Sequence, residues 1–165
     1  MPNHMSRAIS TFALIAVLTA ILAASGLAVA EHGYPHGAIG LKRLDAIANS
    51  ATFIPLAALY AFSVALLMIM PLKAASFILI NATDMLFWTV IVLLATIAGC
   101  LVARFAFGQS GAVWAITDWK FIFAAAIIAC HFILNELRRN VLLRSIGLVA
   151  AIGATVACLF WSFQL

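Results

Sequence analysis

Residues 117–139 read "TDWKFIFAAAIIACHFILNELRR". From Trp119 to about Arg138 the run is apolar and near the ~20 residues a helix needs to cross a hydrocarbon core about 30 Å thick. An open strand edge cannot satisfy its backbone groups in lipid, so the run is read as a helix. Four other stretches carry the same signature: Ile9 to Ala30, Ala48 to Met70, Asp84 to Arg104 and Val141 to Phe163. The expected fold is therefore all-α: a polytopic transmembrane helical bundle of five spans, forming a single membrane domain over residues 1–165.

Composition points the same way. The 165 residues are 67% hydrophobic and 8% charged, whereas soluble domains carry about a quarter charged residues. Nine basic and five acidic residues give a net charge of +4, scattered at helix ends. No dense basic tract of the kind nucleic acid requires is present, so nucleic acid is excluded as a partner. The implied surroundings are a lipid bilayer, with other membrane subunits or further copies of the chain against the helices.

Several local features refine the spans. Pro71 closes the second, and Pro55 inside it removes a backbone donor, which predicts a kink. Residues 72–83 are apolar but short, readable as a half-buried connector or as an N-terminal extension of the third span. The first span, with a basic start and Ala28-Val29-Ala30 at its end, also matches a signal peptide. Cleavage there leaves four spans; its length favours retention. The loop "NELRRNVLLR" concentrates three arginines and Arg7 precedes the first span, so both are expected on the cytoplasmic side of a bacterial inner membrane. The N-terminus is then cytoplasmic and the C-terminus periplasmic. Trp114, Trp119 and Trp161 fall near the outer boundary in that arrangement, and Trp88 near the inner one.

Within the opening stretch, Lys120 and His131 are eleven residues apart. That returns nearly to the same azimuth about 16 Å along the axis. Asn135 and Arg138 continue the stripe at i+4 and i+7 from His131. Ionisable groups inside spans usually face the bundle interior, which makes this stripe the candidate site. The plainer reading is that Lys120 and Arg138 snorkel at opposite interfaces while His131 bonds a neighbouring helix. Asp84, at the start of the third span, lies level with His131 and Arg138. It is read either as the N-cap of that span or as the carboxylate that fixes the tautomer of His131.

Elsewhere the chemistry is thinner. Glu31, His32 and His36 cluster in "EHGYPHGAIGLKR", a turn-rich loop where they are potential ligands for copper or another transition metal, or simply solvated. Cys100, Cys130 and Cys158 have no CxxC spacing and read as small buried residues. No phosphate-binding loop, serine triad or paired carboxylates appear, which removes conventional hydrolase and nucleotide chemistry.

The segment from Asp84 to about Phe160 resembles small bacterial membrane families that include the HemJ-type protoporphyrinogen oxidases and the CopD-type copper-resistance proteins. The similarity rests on a helix opening at Asp84 with Gly99 near its end, Trp114 in a short loop, and a lysine-led apolar helix reaching His131. It covers about half the chain and implies Lys120 and His131 as a polar pair, with haem b as the cofactor. The early helix that carries a histidine in those families reads "RLDAIANSATFI" here, with Asn49 and no histidine. This chain then supplies one axial ligand.

Three function classes follow. The first is redox or haem-cofactor handling, as an oxidoreductase or assembly factor, with His131 as axial ligand or proton relay and Lys120 attracting an anionic propionate. The second is a non-catalytic accessory subunit of a larger respiratory or photosynthetic complex. The third is metal transport, with His32 and His36 collecting a cation. It ranks last because cation conduction usually needs several intramembrane carboxylates, and only Asp84 lies near a span.

Overall fold

The computed structural model describes residues 3–70 and 73–164; Pro71, expected to close the second span, lies outside them. The fold is all-α, with no strand among the described residues. The helices are α1 (Asn3–Glu31), α2 (Pro35–Ile47), α3 (Ser50–Ile69), α4 (Lys73–Ala106), α5 (Trp119–Ala129), α6 (Leu134–Arg139) and α7 (Val141–Gln164). Short 3-10 turns cover Ser110–Ala115 and Cys130–Ile133. Five helical stretches are long and apolar enough to cross a membrane: His4–Glu31, Pro35–Ile69, Phe77–Ala106, Trp119–Arg139 and Val141–Gln164.

Two boundaries differ from expectation, and a third takes one of its two readings. The loop holding His36 is a helix: Pro35 starts α2 at the position where a missing N–H costs nothing. Residues 73–83 extend the third span, so α4 begins eleven residues before Asp84 and Asp84 cannot cap it. The fourth span is not one α-helix, being interrupted by the 3-10 turn at Cys130–Ile133. Through Pro55, by contrast, α3 is unbroken.

The chain forms two compact units. The first contains α1, α2, the residues up to Thr52 and Ile91–Asp118. Here α1 turns into α2 at Gly33, whose φ of +83° suits a residue without Cβ. The two helices then meet backbone to backbone. A Cβ on Gly37 would stand 2.5 Å from the Gly26 carbonyl oxygen and 2.8 Å from the Ala30 nitrogen. Gly99, in the second half of α4, approaches α1 as closely, its hypothetical Cβ 2.5 Å from the Ala16 carbonyl oxygen. Such contacts between small residues are how helices associate where lipid removes the hydrophobic drive. Around them Ala23, Leu27, Cys100 and Ala103 form a small core. Arg104 and Asp45, both part-exposed, make an ion pair between α4 and α2.

The second unit contains Phe53–Val90 and the chain from Trp119 onward. Its centre is α3, where Phe53, Ile54, Tyr60 and Met68 are each at most 2% exposed. Phe121, Ala124 and Ile128 are the buried face of α5, and Phe53 packs on Phe121 with ring centroids 4.7 Å apart. Gly147, Ala151, Ala154, Thr155 and Cys158 are the buried face of α7. Trp119 and Trp161 meet edge to face at 4.7 Å, so the start of α5 lies beside the end of α7, as antiparallel neighbours require.

Candidate functional site

Inside the second unit, His131 is the second residue of the 3-10 turn between α5 and α6. The Leu134 N–H bonds back to the His131 carbonyl, three residues away. This tighter winding changes which residues follow the buried face. After Phe121, Ala124 and Ile128 the next fully buried side chain is Leu134, while Asn135 is exposed and Arg138 only half-buried. Of the expected stripe, Lys120, His131 and Arg138 are part-buried and Asn135 is exposed.

The imidazole is contacted on both nitrogens. The Tyr60 hydroxyl lies 2.9 Å from Nδ1, and an Asp84 carboxylate oxygen lies 3.5 Å from Nε2. The Phe87 ring stacks on the imidazole, with centroids 3.9 Å apart and planes within 11°, and Phe132 meets Phe87 edge on at 5.6 Å. The His131 side chain is 17% exposed and that of Asp84 48%. Tyr60 is buried.

A second set of bonds holds these partners in register. Thr83, the residue before Asp84, donates from its hydroxyl to the Ser63 oxygen at 3.2 Å, and Ser63 donates to the Tyr60 carbonyl at 2.7 Å. Both hydroxyl residues are buried. The α4 segment bearing Asp84 is thus tied to the α3 turn that bears Tyr60, and each polar group finds a partner, as burial in an apolar setting demands.

This arrangement serves both protonation states of the ring. In the neutral form a carboxylate at Nε2 favours the Nε2–H tautomer, leaving Nδ1 to accept from the Tyr60 O–H. In the cationic form Nδ1–H donates to the Tyr60 oxygen, Nε2–H faces the carboxylate, and the Phe87 face meets the positive charge. A ring that loses no partner on either side of the change can take up a proton at one nitrogen and release one at the other.

Of the residues singled out in the sequence, Asp84 is brought to His131, in the tautomer-fixing position rather than as a helix cap. Lys120 lies in the first turn of α5, half-buried, about 16 Å along the helix from His131. Glu31 ends α1 and His36 is the second residue of α2, while His32 Nδ1 lies 2.7 Å from the Ala28 carbonyl oxygen. Among the described residues no three His, Cys, Asp or Glu side chains gather into a metal-holding group. His36 instead borders an open groove of about 510 Å³ along α1 and α2. Of the cysteines, Cys100 and Cys158 are buried as expected, but Cys130 is exposed.

Tyr60, Phe87, Ser63 and Thr83 were not legible as site residues in the sequence. One signal for Tyr60 existed: the chain has two tyrosines, and a tyrosine within an apolar span needs a partner for its hydroxyl.

Haem fits poorly here. The ring nitrogens face Tyr60 and Asp84, and Phe87 covers one ring face. Comparison with protein-family models, with curated proteins and with solved structures finds no match to the chain.

Proposed function

We propose that this multi-pass membrane protein serves redox or cofactor handling, and that His131 does so by moving protons between Tyr60 and Asp84 rather than by ligating haem. The supporting observation is the phenol and the carboxylate on opposite nitrogens of one imidazole. Histidine and carboxylate chains inside spans mark proton paths, because an ionisable group there is otherwise expensive. Asp84, the more exposed partner, exchanges with the surroundings. From the Nε2–H tautomer, Nδ1 takes the Tyr60 hydroxyl proton as Nε2–H passes its proton to the Asp84 carboxylate. This leaves a tyrosinate, the Nδ1–H tautomer and a carboxylic acid, and the same steps run in reverse return the proton to Tyr60. Phe87 and the Ser63–Thr83 link keep the ring and its partners aligned.

The test is spectroscopic. In the purified protein, ¹⁵N spectra of His131 are expected to show the Nε2–H tautomer, with Asp84→Asn changing the tautomer ratio. Reconstitution with haem is expected to give no Soret band that depends on His131. A Soret band abolished by His131→Ala overturns the proton-transfer reading in favour of axial ligation.

A second reading, the accessory subunit, draws on α1, where only 11% of the most apolar window is buried. Recovery of the chain solely with stoichiometric partners supports it; recovery as an isolated monomer in detergent removes it.

A further inference from the structure

The Arg144 guanidinium Nε donates to the Met68 carbonyl at 2.6 Å, near the end of α3. At that level begins the 110 Å³ cavity of the second unit, with Met68, Leu137 and Gly147 at one end and Tyr60 and Ala154 at the other. Tyr60 and Met68 are eight residues apart on α3, about 12 Å of helical rise. A volume so small drawn out over that length is a slot one hydrocarbon chain wide. Gly147 keeps its near end open: a Cβ there would stand 2.9 Å from Met68 Cε.

The described walls are apolar apart from the weakly polar Cys130 thiol and the Tyr60 phenol, whose oxygen is engaged by His131. Water gains nothing in such a space, since it needs two to four polar partners. Left empty, the lining side chains lose their dispersion contacts on one side. Within a bilayer the filler at hand is an alkyl chain.

The charge at the near end selects which lipid. Arg144 is the fourth residue of a candidate span, within one turn of the end that would meet the headgroups. Arg138 and Arg139 lie within six residues of it, opposed in that segment only by Glu136. With Nε fixed on Met68, the guanidinium fork keeps its Nη edge for a phosphate, the geometry for which arginine is suited. Basic pockets between helices at a membrane face recognise anionic headgroups in this way.

We infer that the slot between α3, α5–α6 and α7 is a binding site for an anionic phospholipid, with one acyl chain along the slot and the phosphate at Arg144. It is independent of any proton movement at His131. The full-length protein is purified in detergent and exchanged with spin-labelled phosphatidylglycerol or phosphatidylcholine, and the immobilised fraction is measured. Phosphatidylglycerol is expected to be retained at least five-fold better. Ala151→Phe, which fills the slot, is expected to abolish that retention, whereas Val149→Phe, on the 71% exposed face of the same helix, leaves it unchanged. Arg144→Gln is expected to erase the preference between the two lipids and Arg144→Lys to keep part of it. Should Arg144→Gln not fold, loss of the preference in about 1 M salt reads the same electrostatic contact. Equal retention of both lipids by the unmodified protein, or unchanged retention in Ala151→Phe, overturns the site. Displacement of the phosphatidylglycerol by equimolar oleate overturns the phospholipid and assigns a single-chain anion instead.

Discussion

The two units of this chain are held by different means. In the first, α1 is gripped by Gly37 and Gly99, where backbone meets backbone, and a part-exposed ion pair joins α2 to α4. In the second, α3 is linked to its neighbours through Tyr60, Ser63 and Arg144, each bonded to another side chain or a carbonyl. Close backbone approach gives helix adhesion without any polar group. Polar groups inside a span cost free energy unless every partner is present, and their concentration around His131 is what the proposed proton transfer draws on.

The sharpest way to break this contrast is Gly99→Leu. Its first side-chain atom would meet the backbone of Ala16 and Ala20, at 2.5 and 2.9 Å, and backbone cannot step aside as a flexible side chain can. A loss of about 3 kcal/mol is expected from such overpacking, read as a lower unfolding midpoint in detergent. Gly40→Leu, where a Cβ meets nothing within 4 Å, is expected to leave the midpoint almost unchanged. If both behave alike, backbone contact is not what holds the first unit.

Tyr60→Phe removes one hydroxyl from the second unit and leaves His131 Nδ1 without its partner. About 1 to 2 kcal/mol of stability is expected to go with that bond, together with a shift in the His131 tautomer equilibrium seen by ¹⁵N spectroscopy. An unchanged histidine spectrum would mean that Tyr60 is packing alone.

The smallest effect belongs to Asp45→Asn. Its pairing with Arg104 is part-exposed, and such pairs contribute about 0.2 to 1 kcal/mol with marked sensitivity to salt. Unfolding midpoints compared at low and high ionic strength are expected to converge in the variant and to differ in the parent.

The spans were legible in the sequence because hydropathy over some twenty residues reports directly on the solvent. Boundaries were less so. "EHGYPHGAIGLKR" carries glycines and a proline that read as turns, yet Pro35 starts a helix and Gly37 lets that helix touch α1. Asp84 read as a cap because a charge next to an apolar run resembles a helix start, whereas residues 73–83 are apolar enough to continue the helix past it. His131 was visible as an ionisable residue at mid-span. Tyr60 and Phe87 were not, since aromatic residues in apolar runs are ordinarily core. The 3-10 turn that aims His131 has no glycine or proline to announce it, so the stripe extrapolated straight through to Asn135.

The length of α4 has a further consequence. Its candidate span, Phe77–Ala106, has 30 residues and rises about 45 Å, close to the ~40–45 Å of a whole bilayer with its headgroups rather than the ~30 Å of its oily interior. Upright, such a helix reaches from one aqueous phase to the other. Asp84, seven residues from Phe77, then stands about 10 Å from that end, near the seam between headgroups and hydrocarbon. Bilayer thickness thus becomes a control on hydration: a thicker membrane buries this carboxylate, and a thinner one opens it to water.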